Sequence, residues 1–186
     1  MRVAPILLLL MLGVEIAVAR PARIILLRHA EKPPSESNVH LSRRGEERAR
    51  ALVGFLTTSP ALTTNGLPAA LFAPRIKRHG RGPRPYETLE PLAKHLKLLV
   101  QTPYAAEDYA ALARYVLQDH ACDGKTVVIC WVHDFLPELA EALGVRSGPT
   151  RWKKTVFDRV WVVSYHDKWA SLAVLPQNLL PGDSPR

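Results

Sequence analysis

The stretch that decides the fold is IILLRHAEKP, residues 24–33. Its first four residues are apolar without interruption, Arg28 and His29 follow directly, and Pro33 ends the run. An uninterrupted apolar run of this length is typical of a strand buried on both faces of a parallel sheet. Ligands of open α/β sheets bind outside the carboxyl ends of the strands. The stretch therefore predicts a buried strand that ends at an anion site, while a strand ending in solvated Arg28 and His29 is the alternative.

The composition is that of an ordinary globular protein. The 186 residues are 47% hydrophobic and 23% charged, which excludes a disordered chain and is enough for one domain with a sizeable core. The net charge of +8 would attract phosphorylated solutes, nucleic acid or anionic membranes, and charge alone does not choose among them. Cys122 and Cys130 match no zinc pattern, and we expect free thiols.

Residues 1–19 read as an export signal. Arg2 precedes an apolar run that is short for a membrane span, and residues 17–19, Ala-Val-Ala, have the small-x-small pattern of a cleavage site. We expect a cleaved signal peptide, an exported (periplasmic or secreted) protein and no stable membrane span after cleavage; an uncleaved anchor is the alternative. Residues 20–186 are predicted to form a single domain with a loose tail from about residue 176, and the sequence does not determine the oligomeric state.

Strand and helix patterns alternate along the rest of the chain. Further strands are predicted at residues 69–73, 96–100, 126–132, 159–165 and 169–175, and helices at 42–57, 86–95, 105–118 and 135–143. This alternation predicts a three-layer α/β/α sandwich with a mostly parallel central sheet. In such a sheet the strand before Arg28 and His29 and the strand before His133 and Asp134 end at the same edge, so both histidines can reach one cleft.

Four segments in order resemble the signatures of a known family. RHAE at residues 28–31, LSRRG at 41–45, RPYET at 84–88 and VVICWVH at 127–133 are similar to motifs of the histidine phosphatase superfamily. The resemblance extends over most of the predicted mature chain. It implies the phosphoglycerate mutase-like fold and hydrolysis of a small phosphorylated substrate through a phosphohistidine, with neither metal nor cofactor.

The resemblance also implies roles for single residues. His29 would be the nucleophile, since a neutral imidazole nitrogen is available near neutral pH. Arg28 and Arg84 would bind the phosphoryl oxygens with planar, permanently charged guanidinium groups. His133 would complete the cage around the transferred group.

The proton donor to the leaving group is left open. Asp134 directly follows His133, which resembles the His-Asp pair of the acid phosphatase branch. In the shorter mutase-like branch the donor is a Glu from a loop after a middle strand, and Glu107 or Asp108 lies in a comparable place. Asp134 is the first choice, with Glu107 and Asp108 as alternatives.

Three other functions compete with a phosphatase. The first is a non-catalytic phosphate- or polyanion-binding module on the same fold. The second is nucleic-acid binding through the basic loop at residues 74–84, which an export signal disfavours. The third is a metal site made of His29, His133 and Asp134, which two neighbouring arginines would oppose by repelling the cation.

Overall fold

One six-stranded sheet organises the part of the chain that the structure describes, residues 20–35, 37–76, 82–166 and 169–184 of a computed structural model. The predicted signal peptide, the middle of the basic loop and residues 167–168 lie outside these residues. The strands are β1 (Arg23–Arg28), β2 (Pro68–Phe72), β3 (Val100–Gln101), β4 (Thr126–Trp131), β5 (Arg159–His166) and β6 (Trp169–Pro176). The helices are α1 (Arg43–Thr58), α2 (Pro60–Thr63), α3 (Arg84–Leu96), α4 (Tyr109–Gln118) and α5 (Leu136–Ala142).

The sheet is mostly parallel, as predicted. Its order is β3-β2-β4-β1-β5-β6, and β1, β2, β3 and β4 run parallel, whereas β5 and β6 form an antiparallel hairpin beside β1. The carboxyl ends of β1 and β4 therefore lie side by side, with Arg28 paired to Trp131. This pairing brings the segments that follow the two strands to one edge of the sheet.

Both faces of the sheet are covered, which gives the predicted three layers. The side chains of β1 alternate between the faces: Ile24 and Leu26 belong to one core cluster, and Ile25 and Leu27 to the other. Residues of α4 and α5 complete the first cluster, and residues of α1 and α3 the second. All four apolar side chains of β1 are fully buried, which explains why this strand is apolar without interruption.

Two predicted boundaries are wrong. The strand predicted at residues 96–100 is only Val100–Gln101, because α3 continues to Leu96 and ends at Lys97, whose φ of 56° is left-handed. The helix predicted from residue 105 begins at Tyr109. The four residues before it form a turn in which the Ala105 N–H donates to Asp108 Oδ2 at 3.2 Å.

The described tail, residues 177–184, is bonded to α1. The side chain of Gln177 is buried, and its Oε1 accepts a hydrogen bond from Arg48 Nη1 at 3.0 Å. Asp183 accepts from Arg48 Nη2 at 2.6 Å. A guanidinium that is only 2% exposed needs such partners, because an unpaired buried charge is strongly destabilising.

Every helix among the described residues is too short or too polar to span a bilayer.

Candidate active site

His29 is held at the carboxyl end of β1 with one ring nitrogen engaged. Its backbone N–H donates to Trp131 O at 3.3 Å, which continues the β1–β4 ladder by one residue. Its Nδ1 lies 2.7 Å from the carbonyl oxygen of Ala30. A carbonyl only accepts hydrogen bonds, so Nδ1 carries the proton and Nε2 keeps its lone pair.

Burial keeps the His29 imidazole neutral. The side chain is almost fully buried, and this desolvation lowers its pKa to about 3, although the bond to the Ala30 carbonyl opposes the shift. The positive charges of Arg28 and Arg84 lower the pKa further. At neutral pH the imidazole is therefore unprotonated at Nε2, as a nucleophile must be.

A small cavity brings together three of the predicted site residues. It has a volume of about 70 Å³, and the residues that line it include His29, Arg84 and His133. The other described residues of the lining are Gly82, Pro85 and Val132. Two histidines and an arginine thus border one small space, a combination suited to a compact anion.

Arg84 is positioned by a residue whose role the sequence analysis did not predict. Arg84 is the first residue of α3, and partial burial lowers its pKa, with the Glu87 carboxylate opposing. One helical turn later, Thr88 Oγ1 donates to Arg84 O at 2.7 Å and accepts from the Ala30 N–H at 2.9 Å. The signal was present in the RPYET motif, because the side chain of a helical Thr can bond the carbonyl four residues back.

Arg28 lies at the end of β1 with its guanidinium bonded to backbone carbonyls. It is 3% exposed and is not among the residues that line the cavity. Its Nη1 donates to Lys154 O at 2.5 Å and to Val156 O at 3.3 Å, and its Cζ lies 3.9 Å from the ring centroid of Phe157. Burial lowers its pKa to about 10, which the Asp134 charge opposes, so Arg28 remains a cation next to His29 in the chain at neutral pH.

His133 and Asp134 form a pair at the end of β4. They open a single turn of 3-10 helix, His133–Phe135, and His133 Nδ1 lies 2.7 Å from Asp134 Oδ1. The carboxylate orients the imidazole through Nδ1. The Asp134 side chain is 49% exposed and so reaches solvent.

The alternative acids, Glu107 and Asp108, lie on the segment before α4. This segment is tied to β4, since Trp131 Nε1 donates to Ala106 O at 2.9 Å. Asp108 uses Oδ2 to close its own turn. Among the described residues, those lining the cavity include none of the three candidate carboxylates.

The LSRRG motif fastens α1 to the loop after His29. Ser42 caps the helix, as its Oγ accepts from the Gly45 N–H and donates to Glu31 O, both at 3.1 Å. A Cβ on Gly45 would lie 2.3 Å from Glu31 O, so this approach requires glycine. The Glu31 carboxylate accepts from Arg48 Nη2 at 2.8 Å and acts as a structural partner at this point.

The described residues contain no group of three or more metal-ligating side chains placed to hold an ion. Both cysteines are buried free thiols, and burial raises the pKa of each above its ordinary value.

Comparison with known proteins supports the fold. No protein-family model matches the sequence, and no curated protein is significantly similar to it in sequence. Several solved structures match most of the chain. A mycobacterial glucosyl-3-phosphoglycerate phosphatase in complex with inorganic phosphate has 14% identity over 83% of this chain and 97% of its own, with a TM-score of 0.54.

Two further structures are α-ribazole phosphatases from enteric bacteria. The enzyme from Shigella flexneri has 16% identity, covers 87% of this chain and 100% of its own, and has a TM-score of 0.52. A candidate α-ribazole-5′-phosphate phosphatase from Escherichia coli has 15% identity, covers 84% and 97%, and has a TM-score of 0.53. The chain therefore has the fold of these phosphatases, which is the phosphoglycerate mutase-like fold that the four motifs implied.

Proposed function

We propose that the protein is a phosphatase of the histidine phosphatase superfamily that hydrolyses small phosphomonoesters through a phosphohistidine at His29. One observation carries the proposal: His29 is buried and neutral, with its proton on Nδ1, in a small cavity that it shares with Arg84 and His133. The structural neighbours named above are phosphatases, one of them with inorganic phosphate bound, which supports the same class of reaction.

In the first half of the reaction, His29 Nε2 attacks phosphorus. A P–N bond forms as the P–O bond to the leaving group breaks, and the departing oxygen takes a proton from a nearby acid. Arg84 and His133 stabilise the charge on the phosphoryl oxygens, and the nearby positive charge of Arg28 adds to the positive potential at the nucleophile. In the second half, water attacks the phosphohistidine, the acid residue recovers a proton from that water, and inorganic phosphate leaves.

The experiment that tests the nucleophile uses the mature chain and p-nitrophenyl phosphate in the presence of EDTA. We expect hydrolysis without added metal and loss of nearly all activity in His29→Ala. A brief reaction with radiolabelled phenyl phosphate should leave an acid-labile, alkali-stable label on the wild type and none on His29→Ala. Activity that survives His29→Ala, or that needs a divalent ion, would overturn the mechanism.

We assign the proton donor to Asp134, because it is bonded to a cavity residue and is accessible from outside. Asp134→Asn is compared with Glu107→Gln and Asp108→Asn on aryl phosphates of differing leaving-group pKa. Loss of the true donor slows poor leaving groups far more than good ones. A selective effect in Glu107→Gln or Asp108→Asn instead would move the role to that residue.

The same assays separate the phosphatase from a non-catalytic polyanion-binding module. A module would bind inorganic phosphate in a manner that depends on Arg84 and would release none from any ester. Binding to DNA that weakens steeply with salt would instead favour a nucleic-acid ligand.

We further propose that residues 1–19 direct export and are then removed. The support is the sequence pattern at the start of the chain. Expression of the full chain in a bacterial host, followed by fractionation and mass measurement, should give a product that begins at Arg20 outside the cytoplasm. Recovery of the intact chain in the cytoplasm would contradict this.

A further inference from the structure

The segment between α5 and β5 is fastened to the cation beside the nucleophile. The backbone carbonyls of Lys154 and Val156 accept hydrogen bonds from Arg28 Nη1, with Lys153 O at the limit of 3.5 Å. The ring of Phe157 is near two site residues: its centroid lies 3.9 Å from Arg28 Cζ and 6.0 Å from the centroid of the His29 ring. The segment at residues 151–157, which we call the basic segment, is thus part of the surroundings of the site.

The basic segment also packs against β5 through Trp152. Trp152 is buried, its ring centroid lies 4.8 Å from that of Trp161 on β5, and its Nε1 donates to Val156 O at 2.9 Å. The Val156 N–H donates to Lys153 O at 3.0 Å and closes a turn. The backbone that carries the lysines is therefore fixed relative to Arg28, while their flexible four-carbon stems can adjust to a ligand.

The positive charges of the basic segment have no partner among the described residues. Its three cationic side chains are exposed, it contains no acidic residue, and no described carboxylate forms an ion pair with them: Arg151, Lys153 and Lys154. Some cations on the helices are paired, for example Arg43 with Glu47 and Lys94 with Glu90. Unneutralised charge beside a phosphate site raises the local positive potential and attracts a further anion.

We propose that Lys153 and Lys154 form a second anion subsite, so that the preferred substrates are phosphomonoesters whose leaving group carries another anionic group, a carboxylate or a second phosphate. The inference rests on the proposed function and names its substrate class. The cavity that would hold the transferred phosphoryl group is lined by His29, Arg84 and His133 and by neither lysine. Lys153 and Lys154 are exposed, so their ammonium groups are open to the part of a substrate that lies outside the cavity, which is the leaving group.

The test compares three aryl phosphates of similar shape. Phenyl phosphate has a neutral leaving group, 4-carboxyphenyl phosphate adds a carboxylate, and 1,4-phenylene bisphosphate adds a second phosphate. The double variant Lys153→Gln/Lys154→Gln is compared with the wild type. The matched control is Lys94→Gln/Lys97→Gln, which removes the same charge at the far end of α3, roughly 15 Å along the helix from Arg84.

The measured quantity is the ratio of kcat/KM for a substrate with the extra anionic group to that for phenyl phosphate. Comparing this ratio among variants cancels differences in leaving-group pKa. We expect the wild type to prefer the doubly anionic substrates and Lys153→Gln/Lys154→Gln to lose about five- to tenfold of the preference, mainly through KM. The control should keep the preference, and added salt should weaken it in the wild type.

Each outcome has a defined meaning. A preference for both doubly anionic substrates supports a general anion subsite. A preference for one of them identifies either the carboxylate or the phosphate as the group that the subsite binds. No preference in the wild type, or an equal loss in the control, overturns the subsite and leaves the phosphatase intact. If no ester is hydrolysed, the proposed function fails, and calorimetric binding of 1,4-phenylene bisphosphate against phenyl phosphate, with the same variants, decides the subsite alone.

Discussion

Thr88 holds the backbone of Ala30, the residue after the proposed nucleophile: its Oγ1 accepts the Ala30 N–H at 2.9 Å. The same hydroxyl donates to Arg84 O at 2.7 Å. Ala30 and Thr88 are both buried, so water cannot replace either bond. One hydroxyl therefore sets the start of α3 relative to the end of β1, and with it Arg84 relative to His29.

Replacing Thr88 should loosen the position of Arg84 relative to His29. Thr88→Val keeps the shape but leaves the buried Ala30 N–H without an acceptor, which should lower the free energy of unfolding by about 1–3 kcal/mol. The activity should fall as well, because His29 and Arg84 lose their common support. Thr88→Ser keeps the hydroxyl and is the control. Denaturant unfolding and p-nitrophenyl phosphate hydrolysis check both effects; equal behaviour of the two variants would contradict the role.

The buried His29 should make the protein less stable in acid. The unfolded chain takes up a proton at His29 as the pH falls through 6.5, whereas the folded chain resists protonation until about pH 3. Between these values the difference should reduce stability by up to roughly 1.4 kcal/mol per pH unit. His29→Asn should remove this part of the pH dependence, and His95→Asn, at an exposed position, should not. Unfolding measured across this range checks it; parallel curves for all three proteins would refute it.

Gly45 and Gly54 in α1 should respond to alanine in opposite directions. At Gly45 the new Cβ would lie 2.3 Å from Glu31 O, so Gly45→Ala must displace the loop after His29, at about 1–3 kcal/mol and with reduced activity. At Gly54 nothing lies within 4 Å, and Gly54→Ala should stabilise the helix by about 0.5–1 kcal/mol. Thermal unfolding and kinetics of both variants provide the check, and a Gly45→Ala protein as stable as the wild type would exclude the close approach.

Asp183 should matter for stability despite its place near the end of the chain. It binds Arg48 and accepts the Leu179 N–H, and these bonds hold the pKa of its carboxyl group well below the usual range. Asp183→Ala leaves part of a buried guanidinium unpaired and should cost about 3–5 kcal/mol.

The control for Asp183 is an exposed ion pair. Arg43→Ala removes the pair with Glu47 on the outside of α1 and should cost no more than about 0.5 kcal/mol. Both variants are measured by denaturant unfolding at neutral pH. A small effect of Asp183→Ala would mean that the tail is not part of the folded unit.

Much of the fold was predictable because its signals are local. The apolar run of β1 reflects burial on both faces of the sheet, and Ser42 is a helix cap that can be recognised three residues before Gly45. The wrong boundaries lie where the signal is weak. The two-residue strand β3 pairs only with β2, and the turn before α4 depends on a single Asp108 contact.

The candidate site also has features that local sequence signals predict and features that they do not. By itself, the sequence determined that His29 and His133 follow parallel strands, because the local pattern of apolar and turn-forming residues predicts the order of strands and helices. Only the tertiary structure decided that Arg28 turns to the carbonyls of the basic segment, about 125 residues away, and that Arg48 reaches Asp183. These contacts join segments distant in sequence, and their partners become neighbours only when the helices have packed on both faces of the sheet.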